Sequence, residues 1–262
     1  MITILTATYN RCSTLSRLLK SLLEQSSKEF EWVLVDDGSS DETQNFIEEL
    51  KEKNLGFRLT AIRQNNAGKH AAINSGVAAA KSKWIFIVDS DDALVPDAVE
   101  TIMASVATAN DNTAGLCYRR AYFSGELLGN DLNTVEQSFV STPTEAGKIF
   151  EGDLAYIFRA DVMSRFPFPI FKNEKFVPEL YIWNKLGDAG DIVFFARKII
   201  YLCDYLEDGY TLNFSRYLRA NPKGFFTFYW SQFLREKTVY YKLKNLIRSV
   251  QCLLYMLLGR PR

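Results

Sequence analysis

Three aspartates stand close together directly after an apolar run in the first half of the chain. The stretch WIFIVDSDDALVPD, residues 84–97, brings Asp89, Asp91 and Asp92 to the end of five apolar residues. Carboxylates this close repel one another, and each loses solvation when it is partly buried. The pattern therefore predicts a positive group among them, such as a divalent cation bound by hard oxygen ligands, or else an Asp-rich polar turn.

The elements that would position these aspartates are predicted from two hydrophobic periods. Short apolar strands are predicted at 2–6, 31–35, 58–62 and 84–88. Helices are predicted, from apolar residues at helical spacing, at 15–23, 41–53, 70–80 and 96–109. Strand–helix alternation with short connections predicts an α/β fold with a Rossmann-like, mostly parallel sheet and helices on both faces.

A polar segment follows each predicted strand, at 7–11, 36–39, 64–70 and 89–92. In parallel sheets ligands bind outside the carboxyl ends of the strands, so all four segments fall on one edge. Independent surface turns have no reason to concentrate carboxylates, amides, arginine and lysine there. The convergence predicts a ligand site at this edge more strongly than any single motif does.

The composition argues against several classes of function. The 262 residues are 47% apolar and carry no net charge, which argues against a dedicated nucleic-acid binder. The four cysteines are far apart and form no CxxC pair, so disulfides are not expected and a reducing compartment fits. His70 is the only histidine, which nearly excludes histidine-based zinc sites and a Ser-His-Asp triad. No GxGxxG follows the first strand, and no P-loop motif occurs.

The charge is divided unevenly along the chain. From Arg216 to the end, ten basic residues stand against one acidic residue, Glu236, for a net charge of +9, so residues 1–215 carry −9. The start, MITILTATYN, lacks a basic segment followed by a long apolar one, so no signal peptide is expected. No apolar run approaches the ~20 residues that a membrane-spanning helix needs.

Three motifs on this frame, TATYNR, VDDGSSD and VDSDD, resemble in order and spacing those of the family 2 glycosyltransferases. That family has the GT-A fold and uses nucleotide sugars. The similarity covers the first 110 or so residues and continues more weakly to the segment PELYIWNKL. The DSDD residues match the DxD element of the family, which is short, whereas the ordered set of three motifs is much more specific.

The resemblance implies a role for each polar segment. It makes Asp91 the metal ligand, with Mn²⁺ or Mg²⁺ as cofactor, and makes Asp89 a ligand of the ribose or of a metal-bound water. Such a cation would neutralise the charge that grows on a leaving diphosphate. Asp92 would instead orient a loop or cap the next helix. The implied nucleotide-sugar-binding residues are Ala7, Tyr9, Arg11, Asp37, Lys69, Asn74, Asp89 and Ser90.

Several of these residues also have plainer explanations. By resemblance Asp37 accepts the ring N–H of uracil or thymine, but DGSSDE is also rich in helix-capping residues. Tyr9 either stacks on the base or is an ordinary half-buried aromatic residue. Lys69 stands at a helix N-terminus, where an anionic ligand such as a diphosphate is favoured. Asn74, one turn further on, either touches the nucleoside or belongs to a solvated polar face.

The catalytic base is expected in the segment FKNEKFVPELYIWNKLG, which offers Glu174 and Glu179. An inverting transfer needs one carboxylate to take the proton from the acceptor hydroxyl. The family has an acidic pair here, and aligning the helix that follows places Glu179 on the second acid. Pro178 occupies the first position, which departs from the family pattern. Glu179 is the predicted base and Glu174 the second candidate; a first-turn acid favourable to the helix dipole is the plainer explanation of Glu179.

The C-terminal segment 238–259 is predicted to be an amphipathic helix. Its apolar stripe is Val239, Leu243, Leu246, Val250, Leu253 and Leu257. With basic residues and the aromatic stretch GFFTFYWSQF beside it, the stripe favours contact with a membrane surface. Two alternatives remain open: the stripe packs on the catalytic domain, or it pairs with a second copy of the chain in a homodimer.

The sequence thus predicts a GT-A fold in three parts: a nucleotide-sugar-binding half at 1–110, an acceptor-binding half at 111–215 and a basic, aromatic, amphipathic helical tail at 216–262. The expected activity is metal-dependent, inverting transfer from a nucleoside diphosphate sugar to a lipid-linked saccharide in surface polysaccharide or O-antigen assembly. The role that the resemblance gives Asp37 favours a UDP-sugar as donor. The expected location is cytoplasmic and peripheral, on the inner face of the cell membrane. A sugar-phosphate nucleotidylyltransferase and a non-catalytic nucleotide-sugar or membrane-binding module are the alternatives.

Overall fold

One nine-stranded sheet forms the centre of the computed structural model, which describes residues 1–132, 137–205 and 213–258. The strands are β1 Ile2–Thr8, β2 Phe30–Asp36, β3 Arg58–Arg63, β4 Trp84–Ile87, β5 Ala93–Leu94, β6 Thr113–Tyr122, β7 Ser138–Ser141, β8 Leu154–Arg159 and β9 Asp191–Cys203. The helices are α1 Cys12–Leu23, α2 Thr43–Lys51, α3 Lys69–Ala79, α4 Ala98–Thr108, α5 Pro143–Phe150, α6 Ala160–Arg165, α7 Leu180–Asp188, α8 Phe214–Ala220, α9 Pro222–Arg235 and α10 Val239–Leu258.

The sheet has the order β3-β2-β1-β4-β8-β6-β9-β5, and β7 pairs with β9. The first four strands in this order are parallel, with Ile4 opposite Trp32 in β2 and Phe86 in β4. β8 runs antiparallel to β4 and to β6, whereas β6 and β9 are parallel. The predicted Rossmann-like α/β fold is confirmed, and the sheet becomes mixed only where strands from beyond residue 90 join it.

Helices cover both faces of the sheet. Successive residues of β1 point to opposite faces, and its apolar residues on each face pack against a helix. Ile4 lies in one core cluster with Leu18 of α1, and Leu5 lies in the other with Ile73 of α3. Gly76 lets α3 approach the sheet closely: a Cβ atom there would lie 2.0 Å from Leu5 Cδ1. Helix α3, which follows the polar segment 64–70, therefore packs directly on β1, whose carboxyl end leads into segment 7–11.

The three C-terminal helices pack on one another and on the catalytic part of the chain. Leu218 of α8, Phe225 of α9 and Cys252 of α10 form a small buried cluster of their own. The ring of Phe176, from the loop before α7, packs on Phe225 with ring centroids 5.2 Å apart. The predicted tail is thus partly docked on the core, although its last residues, 259–262, lie outside the described part of the chain.

Glu174, the second candidate for the catalytic base, has a structural role at the start of α9. Its two carboxylate oxygens accept hydrogen bonds from the backbone N–H groups of Lys223 (3.0 Å) and Gly224 (2.9 Å). These N–H groups belong to the first turn of a helix and have no partner within it. Glu174 is buried, and both of its oxygens are engaged. It therefore acts as a helix cap, a role that the sequence did not assign to it.

All four cysteines are free thiols, and three of them are buried. Within the three described ranges, no helix combines the length and the apolar character needed to cross a bilayer.

Candidate active site

A cleft of about 1060 Å³ opens at the carboxyl ends of β1, β2 and β4. All four predicted polar segments contribute to it, the third through Asn66, Gly68 and Lys69, as expected for ligand sites in open α/β sheets. The first wall of the cleft is formed by Ala7, Tyr9, Arg11, Asp37, Lys69, Asp89, Ser90 and Asp91, which are residues that the sequence singled out. The structure therefore brings together seven of the eight predicted nucleotide-sugar-binding residues and both predicted metal ligands.

The segments after β1 and β2 are tied to each other by Asn10. Its backbone N–H donates to Ser39 Oγ (2.9 Å), and its side-chain Oδ1 accepts from the backbone N–H of Ser40 (2.8 Å). Asn10 adopts a positive φ of 52°, which asparagine tolerates better than most residues. The turn presents Tyr9, which is 46% exposed, on the wall of the cleft. An exposed aromatic ring at that point is free to stack on a planar ligand.

Asp37 connects the segment after β2 to the segment after β3. Its Oδ1 accepts hydrogen bonds from Gln64 Nε2 (2.8 Å) and from the backbone N–H of Ala67 (2.9 Å), and its Oδ2 accepts from the backbone N–H of Gly68 (2.7 Å). A carboxylate has about four acceptor positions, so three donors leave Oδ2 with one more. Asp37 thus positions segment 64–68 and still has an acceptor position that a ligand can use.

Lys69 bridges the two groups of carboxylates that the sequence predicted. Its Nζ lies 2.5 Å from Asp89 Oδ1 and 2.7 Å from Glu179 Oε1. Gly68, at φ 96°, sets the start of α3 and packs so tightly that a Cβ atom would lie 2.0 Å from the carbonyl oxygen of Lys175. Glu179, the residue immediately before α7, is thereby connected to Asp89 of the DSDD segment through Lys69.

A buried cluster that the sequence did not reveal supports the DSDD segment from below. Arg120 of β6 lies 3.7 Å from Asp89 Oδ2 and 3.8 Å from Asp92 Oδ2, and its guanidinium stacks over the Tyr201 ring at 4.0 Å. The Tyr201 hydroxyl donates to Asp92 Oδ2 (2.8 Å) and accepts from the backbone N–H of Asp89 (2.9 Å). Arg17 of α1 donates to the Asp91 carbonyl. Asp92 is therefore a positioning residue, as the loop-orienting alternative expected.

The pKa values of the three aspartates shift in different directions because their surroundings differ. Burial disfavours ionisation of Asp89, but the adjacent Lys69 and Arg120 outweigh it and hold the pKa of Asp89 below its usual value. Burial, followed by repulsion from Asp89, raises the pKa of Asp91. The same two causes raise the pKa of Asp92 more strongly. Asp91 and Asp92 both line the cleft, and a cation that entered it would stabilise the ionised form of each.

Tyr201→Phe tests the supporting cluster. We expect this change to lower the free energy of unfolding by about 1–3 kcal/mol, because it leaves Asp92 and the Asp89 N–H buried without their partner. Denaturant unfolding measures the effect. Tyr205→Phe is the matched control: its hydroxyl donates to Asp153 at 3.1 Å on an exposed surface, so its loss should change stability by less than about 0.5 kcal/mol. Equal stability of the two variants would contradict the role of Tyr201.

Asn74 is the predicted site residue that the structure does not bring to the cleft. Its side chain pairs with the backbone of Phe168: Nδ2 donates to the carbonyl (2.9 Å), and Oδ1 accepts from the N–H (2.9 Å). It lines a small groove between α3 and α6 instead. His70, next to Lys69, is buried, and burial lowers its pKa. Both residues therefore help to hold α3 in place.

A metal ion fits the cleft only if a ligand shares it. Among the described residues, no group of three His, Cys, Asp or Glu side chains is arranged to bind an ion. Asp89 and Asp91 do supply hard carboxylate oxygens at the cleft. Mg²⁺ in proteins is commonly held by one or two carboxylates together with substrate phosphates and water. The residues present fit an ion of that kind.

The second wall of the cleft comes from the segment 111–215, predicted to bind the acceptor, and from the start of the predicted tail. It includes residues of the loop before α7, the end of β9 and α8, which belongs to the predicted tail. They are Asp153, Asn173, Lys175, Phe176, Asp204, Tyr205, Asn213, Arg216, Tyr217 and Asn221. The wall is rich in amides, carboxylates and aromatic rings, and one of its helices continues directly into the C-terminal pair.

Known glycosyltransferases resemble this chain in sequence. The sequence pattern described as Glycosyl transferase family 2 matches residues 3–169. "Putative glycosyltransferase EpsH" of Bacillus subtilis is 31% identical over 156 residues, which cover 58% of this chain and 43% of EpsH. "GalNAc(5)-diNAcBac-PP-undecaprenol beta-1,3-glucosyltransferase" of Campylobacter jejuni is 23% identical over 221 residues, 82% of this chain and 68% of the relative. The chain thus spans less than half the length of EpsH.

Solved structures share the fold. S. aureus TarS in complex with UDP-GlcNAc superposes with a TM-score of 0.66 at 21% identity, over 86% of this chain and 66% of that one. The mannosyltransferase PcManGT from Pyrobaculum calidifontis, in complex with GDP-Man and Mn²⁺, superposes with a TM-score of 0.62 at 17% identity, over 97% and 73%. The matched pattern covers more than half of this chain and includes all three motifs of the cleft. The chain belongs to glycosyl transferase family 2.

Proposed function

We propose that this chain transfers a sugar from a nucleoside diphosphate sugar to a hydroxyl group of a saccharide acceptor. The observation that carries the proposal is the bridge formed by Lys69 between Asp89, 2.5 Å away, and Glu179, 2.7 Å away. A glycosyl transfer needs positive charge to bind the diphosphate and a carboxylate near the acceptor hydroxyl. Glu179 is not among the residues that line the cleft, but Lys69, which does line it, contacts both Glu179 and Asp89.

The donor is proposed to be a UDP-sugar. Asp37 retains one acceptor position on Oδ2, which suits the protonated ring nitrogen N3 of uracil. Tyr9 offers an exposed ring for stacking on the same base. A UDP-GlcNAc complex is known for TarS and a GDP-Man complex for PcManGT, so the fold accepts both kinds of nucleotide and the choice falls to residues such as Asp37.

The diphosphate is proposed to bind at the start of α3 with a divalent cation, Mn²⁺ or Mg²⁺, held by Asp91 and Asp89. Lys69 and the helix N-terminus favour an anion there. The cation would stabilise the negative charge that develops on the leaving diphosphate. A Mn²⁺ ion accompanies the donor in the PcManGT complex.

Glu179 is the proposed general base. The acceptor oxygen attacks the anomeric carbon, the bond from that carbon to the diphosphate oxygen breaks, and the nucleoside diphosphate leaves with the bonding electrons. The acceptor proton passes to Glu179. A single displacement of this kind inverts the anomeric configuration. Lys69 holds Oε1 of Glu179, so Oε2 is the oxygen left to receive the proton.

The acceptor is proposed to be a lipid-linked saccharide, used at the inner face of the cell membrane in surface polysaccharide assembly. The Campylobacter jejuni relative is, by name, a glucosyltransferase for an undecaprenol-linked acceptor. The second wall of the cleft, with Tyr205, Tyr217 and several amides, has the polar and aromatic character that suits a sugar. O-antigen assembly is one such setting.

Release of nucleoside diphosphate tests the reaction class. A glycosyltransferase should release UDP from a UDP-sugar when a lipid-linked acceptor is added, with a product longer by one sugar. A nucleotidylyltransferase would instead release pyrophosphate from UTP and a sugar phosphate. A non-catalytic binding module would bind UDP and release nothing. UDP-glucose, UDP-galactose and their N-acetyl forms are the donors to screen.

The choice of nucleotide tests Asp37 separately. UDP with Mn²⁺ should raise the melting temperature more than GDP with Mn²⁺, because only a ligand that fits the folded site stabilises it. The measurement is a thermal shift titration at equal nucleotide concentrations. Asp37→Asn should reduce the preference, since an amide nitrogen cannot accept the N3 proton. Equal shifts with UDP and GDP in the unmutated protein would contradict the proposal that Asp37 selects uracil.

A further inference from the structure

The outer side of α10 leaves a continuous apolar stripe uncovered. This outer apolar face consists of Val239, Leu243, Ile247, Val250, Leu254 and Leu257. All six side chains are exposed, Val239 by 78% and Leu257 by 82%. The residues recur at intervals of three and four, so they share one face of the helix. Of the residues that the sequence placed in the stripe, Leu246 is half-buried, whereas Leu253 is exposed beside this face; Ile247 and Leu254 belong to it as well.

The helix packs on its neighbours through the opposite side. Ser249 and Cys252 are buried against α8 and α9, and Arg248 lies over the ring of Phe214 at 5.5 Å. The packed side buries Ser249 and Cys252 and partly covers Tyr255 and Met256, whereas the aliphatic stripe on the other side stays exposed although its burial would normally stabilise a helix. Scattered apolar side chains on a surface need no explanation, but a continuous stripe marks a site of interaction.

The charge around this face identifies its occupant. Residues 237–262 contain six basic residues and no acidic one. Lys237 and Lys244 are exposed beside the outer apolar face, and the aromatic ring of Tyr240 is exposed at its N-terminal end. Apolar side chains flanked by lysine and tyrosine suit the interface of a bilayer with anionic headgroups. A second copy of α10 would bring the same sign of charge and no carboxylate to pair with it.

We propose that the outer apolar face of α10 docks on an anionic lipid bilayer. The inference rests on the proposed function in one respect, namely that the acceptor is lipid-linked. α8 both lines the cleft and packs with α10, so the docking surface and the second wall of the cleft belong to one group of helices. Asn221 and Glu174 join this group to the loop before Glu179, through the N–H of Lys175 (2.7 Å) and the start of α9. Docking would hold the cleft at a fixed position relative to the membrane.

Vesicle sedimentation of the full chain tests the proposal. The protein should pellet with phosphatidylcholine vesicles that contain phosphatidylglycerol, more weakly with pure phosphatidylcholine, and less at high salt because the ionic attraction is screened. The double variant Leu243→Glu/Ile247→Glu should bind at least about tenfold more weakly, since both apolar side chains would no longer enter the interface. The matched control is Val140→Glu/Ile170→Glu, two equally exposed apolar residues of the catalytic part, which should bind as the unmutated chain does.

A second variant guards against misfolding of the first. Lys237→Gln/Lys244→Gln leaves the apolar face intact, so it should keep the fold and lose most of the preference for anionic vesicles. A UDP thermal shift on every variant reports whether the cleft is folded. If the unmutated chain ignores vesicles, and if sedimentation equilibrium shows a dimer that Leu243→Glu/Ile247→Glu dissolves, the face is a contact between copies and the proposal is overturned. Vesicle binding without any sugar transfer would instead leave the docking surface standing and refute the proposed function.

Discussion

Glu179→Gln should reduce turnover by about 10²–10⁴-fold, the usual contribution of a general base. Glutamine keeps the shape of the side chain and a hydrogen-bonding oxygen, but it cannot accept the acceptor proton at neutral pH. The affinity for the donor should hardly change, because Lys69 would keep its contact with Asp89, which lies on the donor side. Steady-state kinetics with a UDP-sugar and UDP titration by calorimetry separate the two effects.

Glu174→Gln is the matched control for this prediction. Both oxygens of Glu174 accept backbone N–H groups at the start of α9, so its amide variant should lower the melting temperature. The folded fraction should keep its turnover. If Glu174→Gln is instead the inactive variant while Glu179→Gln works normally, the base lies one motif earlier than proposed, and the alignment behind Glu179 is wrong.

Asp91→Ala should abolish the joint effect of metal and nucleotide on stability and lower turnover by about 10²–10³-fold or more. Asp91 lines the cleft, and burial and the nearby Asp89 charge raise its pKa, so a bound cation would stabilise its ionised form. In the unmutated protein, Mn²⁺ and UDP together should raise the melting temperature further than either alone. The variant should show only the small shift due to UDP.

Asp97→Ala provides a control with the same change of charge nearby. Asp97 pairs with Lys198 at 2.6 Å on the surface, and surface ion pairs contribute little to stability. This variant should therefore keep both the metal-dependent shift and the turnover. Full activity of Asp91→Ala in the presence of a chelator would show that the transfer does not use the metal in the proposed way.

Lys69 makes the two predictions informative together. It contacts Asp89 and Glu179 at once, so Glu179→Gln leaves the lysine paired with Asp89, and Asp91→Ala removes neither of these two contacts. Loss of Glu179 should therefore appear in turnover alone, whereas loss of Asp91 should appear in both turnover and nucleotide-linked stability. A single pattern shared by both variants would indicate that one of them disturbs the fold of the cleft.

Some of the fold and the site could be predicted from the sequence because the signals are local. The alternation of apolar runs and helical spacing gave β1 to β4 and α1 to α4 to within a few residues. Parallel strands place their carboxyl ends on one edge, so the polar segments that follow them had to converge. The first wall of the cleft, from Ala7 through Lys69 to Asp91, follows from that rule.

The sequence could not decide between residues of the same type, because long-range contacts make the difference. Glu174 and Glu179 are five positions apart, yet the first caps a helix that begins at Pro222 and the second meets Lys69. Asn74 is one turn from Lys69, but its amide is taken up by the backbone of Phe168. No pattern within either segment contains these partners.

By itself the sequence determined the family, the α/β alternation and the concentration of acids and amides at one edge of the sheet, since each depends on neighbours in the chain. Only the tertiary structure decided that Arg120 and Tyr201 support the DSDD segment, because β6 and β9 reach that segment from residues up to 112 positions later. It also decided which side of α10 is covered. Helical period defines two faces, but the packing partner selects one, and α9 selected the side of Ser249 and Cys252.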